Sequence, residues 1–309
     1  MKALRKPFTH IAVVAFIAFG GLGLSAPYAA RALDYKPIEL DSNYQHDRWI
    51  TQPQDIMREF RAFVLSFDGA DDDDGDGDGD RYAIPHWVAY EIKAFPGELG
   101  AGPERPSSWL TDRELFEDGV AAGDASYKFS RDFRRANPES PQLGYDRGHM
   151  CMKLHAWRLG VNADWNTHTT LNACPQQGEL NQGIWLDLEK RTADWADRYG
   201  RVWIVAGPVI YGAGPSLWLG EDGEVPVAVP DAFFKLVIRE EDGVDAPEVL
   251  AFLYPQFGIG YKESGGYDHA PYLTSVDVLE ALTGLDFLTA LDDETEARVE
   301  RTTAVELWP

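Results

Sequence analysis

An α+β fold is what this sequence predicts, on three observations. Short runs rich in β-branched and aromatic residues recur from Tyr82 onward, and Gly and Pro separate them. One long amphipathic helix is signalled between Glu179 and Tyr199, where Ile184, Leu188, Arg191 and Trp195 recur at three- and four-residue steps and Gly200 follows as a stop. Two shorter helical patterns cover residues 276–282 and 293–300. The predicted strands are residues 87–92, 148–153, 169–174, 202–209, 225–229, 233–238 and 249–253.

The length of 309 residues, with 44% hydrophobic content, suffices for a full core. Residues 1–32 read as a secretory signal peptide: Lys2, Arg5 and Lys6 precede an apolar run from Ile11 to Leu24, and Ala30-Arg31-Ala32 offers a cleavage site after Ala32. That run is short and Gly-rich against the roughly 20 residues a membrane span needs. A periplasmic or secreted protein is expected. Loss of the leader removes Lys2, Arg5, Lys6 and Arg31 from the 28 basic residues, which takes the net charge from −23 to −27 against an unchanged 51 acids. So acidic a chain repels polyanions as a whole, and any nucleic-acid site must be locally basic. The only cysteines, Cys151 and Cys174, are either a disulfide or a free buried pair.

Residues 33–70 form an N-terminal arm in which Met57, Phe60 and Val64 stand at helical spacing, so a short helix is expected there. Residues 71–81 are an acidic Asp/Gly loop. Asp72, Asp74, Asp76, Asp78 and Asp80 alternate around Gly77 like the front of a Ca²⁺ loop, but Ala83 or Pro85 falls where the closing glutamate belongs. A structural Ca²⁺ site and an acidic linker both fit. Residues 82–309 make up the main domain.

Asp146-Arg147-Gly148-His149-Met150 puts a carboxylate, a guanidinium and an imidazole in succession ahead of a predicted strand. An imidazole takes a proton from water near neutrality, and an adjacent Arg can hold an anionic oxygen. The pentapeptide alone is an ordinary charged cluster. Downstream come Asn172-Ala173-Cys174-Pro175-Gln176, then Leu180-Asn181-Gln182-Gly183-Ile184-Trp185, then Leu188-Glu189. In that order the three motifs resemble the DNA/RNA non-specific endonucleases, the family that includes mitochondrial endonuclease G. The resemblance runs on through Phe233-Phe234-Lys235 and Phe252-Leu253-Tyr254-Pro255 to residues 275–291, and covers about two thirds of the chain.

The resemblance implies a ββα-metal nuclease fold, a central antiparallel sheet flanked by helices. It also implies a catalytic set: His149 as general base, Asn181 as the protein ligand of one Mg²⁺ (Mn²⁺ an alternative), and Glu189 as acceptor for water near the metal. Asn172 is expected on the strand beside that of His149, orienting substrate or neighbouring side chains; Asp146 as a structural acceptor; and Arg147 near phosphate. On a regular helix Asn181, Trp185 and Glu189 share one broad face, and their amide and carboxylate oxygens are hard donors suited to Mg²⁺. The implied reaction is hydrolysis of DNA and RNA to 5′-phosphate ends without sequence preference.

The charge distribution allows this. Residues 128–158 hold seven basic side chains against three acids in an otherwise acidic chain, and Lys128, Arg131 or Arg134 is the expected upstream phosphate contact. His155 and His168 have no part in a one-metal scheme. The same chemistry also fits a nuclease restricted to one nucleic acid or to a particular structure. From other classes, the alternatives are a catalytically weak, calcium-stabilised extracellular binding protein on a nuclease scaffold and a phosphatase for small esters. The intact His, Asn and Glu set disfavours the first, and activity confined to small esters would mark the second.

Overall fold

Seven strands hydrogen-bond into one antiparallel sheet in the order β1-β2-β3-β6-β9-β10-β11. They are β1 Ile56–Glu59, β2 Val64–Phe67, β3 Pro85–Lys93, β6 Arg201–Val209, β9 Ala232–Arg239, β10 Glu248–Pro255 and β11 Leu273–Thr274. Two two-stranded ribbons accompany it: β4 Tyr145–His149 with β5 Ala173–Gln177, and β7 Trp218–Leu219 with β8 Val227–Ala228. The helices are α1 Arg113–Glu117, α2 Lys153–Trp157, α3 Val161–Asn166, α4 Leu186–Tyr199, α5 Val276–Thr283 and α6 Asp293–Glu300. This computed structural model describes residues 34–50, 56–69, 81–127, 144–212, 214–220, 223–241, 243–262 and 266–309. The α+β class and the central antiparallel sheet are as expected.

Both faces of the sheet are covered, which is why β6 and β9 read as near-continuous apolar runs rather than alternating ones. Along β9, Phe234, Leu236 and Ile238 point into a core layer with Trp49, Trp203, Phe287 and the helices α5 and α6. Phe233 and Val237 point the other way, into the layer that contains Trp185, Leu188 and Trp195 of the long helical segment. Lys235 shares this second face, a cation on an interior strand of the sheet.

Several local expectations change. Residues 56–67 are not helical: β1 and β2 form an antiparallel hairpin that joins the main sheet through β3. The helical spacing of Met57, Phe60 and Val64 is overridden because their segment gains ladder hydrogen bonds along an existing sheet edge. The predicted strand 148–153 begins earlier: the DRGH residues themselves are β4, and α2 starts at Lys153. The predicted strand 169–174 likewise moves to 173–177, after a 3₁₀ turn at Thr170–Asn172. Cys151 and Cys174 are both buried and free. No helix among the described residues is long and apolar enough to cross a membrane. The leader and Asp72, Asp74, Asp76, Asp78 and Asp80 lie outside the described residues.

Candidate active site

The β4–β5 ribbon and the helical segment that follows it build one side of a cleft of ≈ 500 Å³. Antiparallel register sets Asp146 opposite Gln176, Gly148 opposite Cys174 and His149 opposite Ala173. The glycine in the motif has a steric cause. A Cβ at position 148 would lie 2.0 Å from Oε1 of Gln176, a fully buried side chain that crosses over the glycine.

After β5 the chain does not enter a regular α-helix. Leu180–Trp185 is a π turn, and Gly183 inside it has φ −101° and ψ −113°, before α4 begins at Leu186. A Cβ on Gly183 would sit 2.7 Å from the Tyr267 hydroxyl, so only glycine permits this close packing. The wider turn changes the phase of the side chains, as π turns at functional sites commonly do. Asn181 and Glu189 both line the cleft, whereas Trp185 is wholly buried against Phe233 and Tyr254. The shared face expected for all three therefore holds for two of them. The Trp185 indole instead supports the motif from behind, its Nε1 donating to the His149 carbonyl at 3.4 Å.

Asp146 orients the asparagine. Its Oδ2 accepts from Asn181 Nδ2 at 2.9 Å and from Gln182 Nε2 at 2.7 Å. With the amide nitrogen committed to Asp146, Asn181 Oδ1 is the atom left to serve a cation.

His149 packs its ring on Trp109, with centroids 4.7 Å apart, and edge-on to His168 at 5.1 Å. Burial is the largest influence on it, and the neighbouring His168, Arg105 and Lys153 add to it; together they hold the imidazole well below its usual range. It is therefore neutral at pH 7, the form that can accept a proton, and its Nε2 has no hydrogen-bond partner among the described residues.

Glu189 is 5% exposed and Lys235 fully buried, with Lys235 Nζ 3.8 Å from Glu189 Oε1 and 3.8 Å above the centre of the Trp185 ring. Burial pushes the Glu189 carboxyl up to about 7, opposed by the Lys235 charge. Burial likewise brings Lys235 down to about 8, opposed by Glu189.

Three cations line the cleft: Arg105, Arg147 and Lys153. Arg147 is fixed rather than free, since its Nη2 contacts Asp124 Oδ1 at 2.7 Å and the Asp124 carbonyl at 2.8 Å, and its guanidinium lies over Trp109 and Tyr127. Lys128, Arg131 and Arg134 lie outside the described residues, and Arg105, further upstream, is a cleft cation the sequence did not reveal. Arg105-x-x-x-Trp109 is the available cue, but neither residue carries a local signal of function.

Asn172 is not brought into the cleft. It is fully buried in the 3₁₀ turn before β5, where its Oδ1 accepts from the Cys151 amide at 2.8 Å and its Nδ2 donates to the carbonyls of Cys151 and Thr167 at 3.0 and 2.9 Å. All its capacity goes to holding backbone, so it orients the chain leaving His149 rather than a reactant. His155 Nε2 and His168 Nδ1 pair with the carbonyls of Glu189 and Trp165 at 3.0 and 3.3 Å.

The donor set suits a hard divalent cation. Asn181 Oδ1 and the carboxylate of Glu189, whose Oε1 faces the buried Lys235 ammonium at 3.8 Å, are oxygen donors lining one cleft. Among the described residues, clusters of three acidic ligands occur only on α5, α6 and the segment between them, outside the cleft.

Comparison with known proteins identifies the family. The DNA/RNA non-specific endonuclease family matches residues 78–294. The chain is 29% identical over 224 residues to a nuclease of Serratia marcescens, covering 70% of this chain and 72% of that one. It is 27% identical over 232 residues to the mitochondrial nuclease EXOG of Xenopus laevis, covering 69% of this chain but 59% of the relative. The human EXOG alignment, at 28% identity, covers 46% of that protein. A chain in the crystal structure of the EndoG/EndoGI complex shares the fold, with TM-score 0.56 and 21% identity over 78% of this chain and 89% of the other. Matched across more than half its length, the chain belongs to the DNA/RNA non-specific endonuclease family.

Proposed function

We propose that this protein is an exported, metal-dependent endonuclease that hydrolyses phosphodiester bonds of both DNA and RNA by a one-metal mechanism, leaving 5′-phosphate ends. The observation that carries the reading is a convergence in one cleft: a neutral, partnerless imidazole nitrogen at His149, an amide at Asn181 oriented by Asp146, and a buried carboxylate at Glu189.

In this reading His149 removes a proton from a water in the cleft, and that water attacks phosphorus in line with the departing 3′ oxygen. Arg105, Arg147 and Lys153 bind the anionic backbone, which explains how a protein of net charge −23 engages a polyanion. Asn181 Oδ1 would hold the cation, and Glu189 accepts hydrogen bonds from cleft water and keeps it oriented. A bound Mg²⁺ would supply electrostatic stabilisation of the charge that develops on the phosphate. None of these groups requires a 2′-hydroxyl or reads a base edge, which supports activity on both nucleic acids. The basic, apolar and small-residue order of residues 1–32 supports export.

The test is to incubate the protein from Leu33 onward with plasmid and with RNA, in Mg²⁺ or EDTA, beside His149→Ala. Both substrates should be cut in Mg²⁺ and neither in EDTA, with the variant slower by a factor of about 100 or more. Cleavage indifferent to His149 or to chelation would sink the mechanism.

A further inference from the structure

Next to the cleft, on the loop that follows β10, stand two aromatic side chains that the reaction described above does not use. Phe257 is 42% exposed and Tyr261 54% exposed. Isolated exposed aromatics are ordinary on protein surfaces. These two are joined to the cleft. The Phe257 ring meets that of Tyr145 edge-on with centroids 6.2 Å apart, and Tyr145 lines the cleft. The Tyr261 hydroxyl, Asp146 Oδ2 and Gln182 Nε2 lie 3.3, 3.7 and 3.7 Å from one point, the place a Cβ on Gly178 would take. Tyr261 thus stands at the same rim as the side chains that orient Asn181.

The loop is also held in place. At its root the buried Gln256 takes the Gln177 amide at 2.9 Å on its Oε1 and donates from Nε2 to the carbonyls of Pro175 and Pro230 at 2.8 and 3.1 Å, tying the loop to the end of β5. Past Tyr261, the Lys262 amide donates to the Tyr267 hydroxyl at 3.1 Å, the same hydroxyl that packs over Gly183 of the π turn. Between these anchors Gly258 and Gly260, at φ +91° and +73°, turn the chain. The exposed rings are therefore positioned by the elements that build the site.

We propose that Phe257 and Tyr261, with the buried Tyr145 backing Phe257, form a lip on which unpaired bases of the bound strand stack, giving the enzyme a preference for single-stranded over duplex nucleic acid. The proposal rests on the hydrolytic reading above and adds a substrate class to it. Aromatic faces beside a cationic cleft are how proteins hold single strands without reading sequence, because every base has a π face. In a duplex those faces are already stacked, and freeing one must first disrupt a pair.

The test compares kcat/KM on a short single-stranded oligonucleotide with that on the same sequence in duplex, in Mg²⁺, for the wild-type protein, Phe257→Ala/Tyr261→Ala, the conservative pair Phe257→Leu/Tyr261→Phe, and His149→Ala. The wild-type protein should favour the single strand, and the double alanine variant should lower the single-strand to duplex ratio about tenfold. Phe257→Leu/Tyr261→Phe should recover part of it, since one ring returns. An unchanged ratio, with cleavage still dependent on His149, overturns the lip. So does a change of oligomeric state in the alanine variant without a change of ratio, which would assign the rings to contact with a second copy. Cleavage independent of His149 would instead overturn the underlying reaction.

Discussion

Replacing Lys235 by Met isolates the ion pair beneath the cleft. Met nearly fills the lysine's space, so the change is chiefly the loss of a fully buried cation 3.8 Å from Glu189 Oε1. At that separation, with an effective dielectric of about 20, the attraction is about 4 kcal/mol. Removing one member of a buried pair typically costs about 3–5 kcal/mol, because the other charge stays behind. Lys235→Met should therefore lower the urea unfolding free energy by about 3–4 kcal/mol at pH 8. The double variant Lys235→Met/Glu189→Gln has no stranded charge and should regain at least half of that loss. A pH arm sharpens the case. The folded Glu189 carboxyl already titrates at about 7, above its unfolded value, and losing Lys235 raises it further. Below about 7 both folded states hold this proton and the deficit should be level; above about 7 the paired carboxyl has released it while that of the variant still holds it, so the deficit of Lys235→Met should grow as pH rises above about 7. If the two substitutions add within about 0.5 kcal/mol, or the deficit is flat with pH, the pair is not coupled and the reasoning fails.

Arg105→Gln removes a positive neighbour that helps depress the His149 imidazole, so its pKa should rise and the acid limb of the kcat/KM profile should move to higher pH; an unmoved limb in a pH–rate series would contradict this. Asp146→Ala releases the Asn181 amide to rotate, and the Mg²⁺ concentration for half-maximal activity should rise roughly 10- to 100-fold, checked by metal titration. Gly148→Ala drives a methyl into the Gln176 side chain and should cost about 1–3 kcal/mol, read as a lower Tm; a wild-type Tm would mean that Gln176 moves aside freely. Asn172→Ala orphans buried backbone groups at Cys151 and Thr167, at about 1–3 kcal/mol each, which chemical denaturation would detect; an unaffected midpoint would show that solvent reaches them.

Much of the chemistry was legible in the chain itself. His149, Asn181 and Glu189 are singled out by the resemblance of three ordered motifs to the DNA/RNA non-specific endonucleases, and a base, an amide oxygen and a carboxylate are side-chain types suited to metal-assisted hydrolysis. The strands β3, β6, β9 and β10 and the helices α5 and α6 are legible for a related reason: their apolar runs and stop signals are local.

Tertiary structure decided the rest. The hairpin β1–β2 reads as a helix until β3 offers it a partner, and the strand predicted to begin at Gly148 takes in Asp146 and Arg147 only because β5 pairs with them. Arg105 and Lys235 are ordinary cations in sequence, one before the motif and one on a distant strand; only folding places them beside His149 and Glu189. Asn172 has the residue type of an active-site amide, yet its three hydrogen bonds all go to backbone. The division has one physical origin. Periodicity reports neighbours within a few residues, whereas the charge, burial and hydrogen bonding that give each site residue its role come from groups brought together across the whole chain.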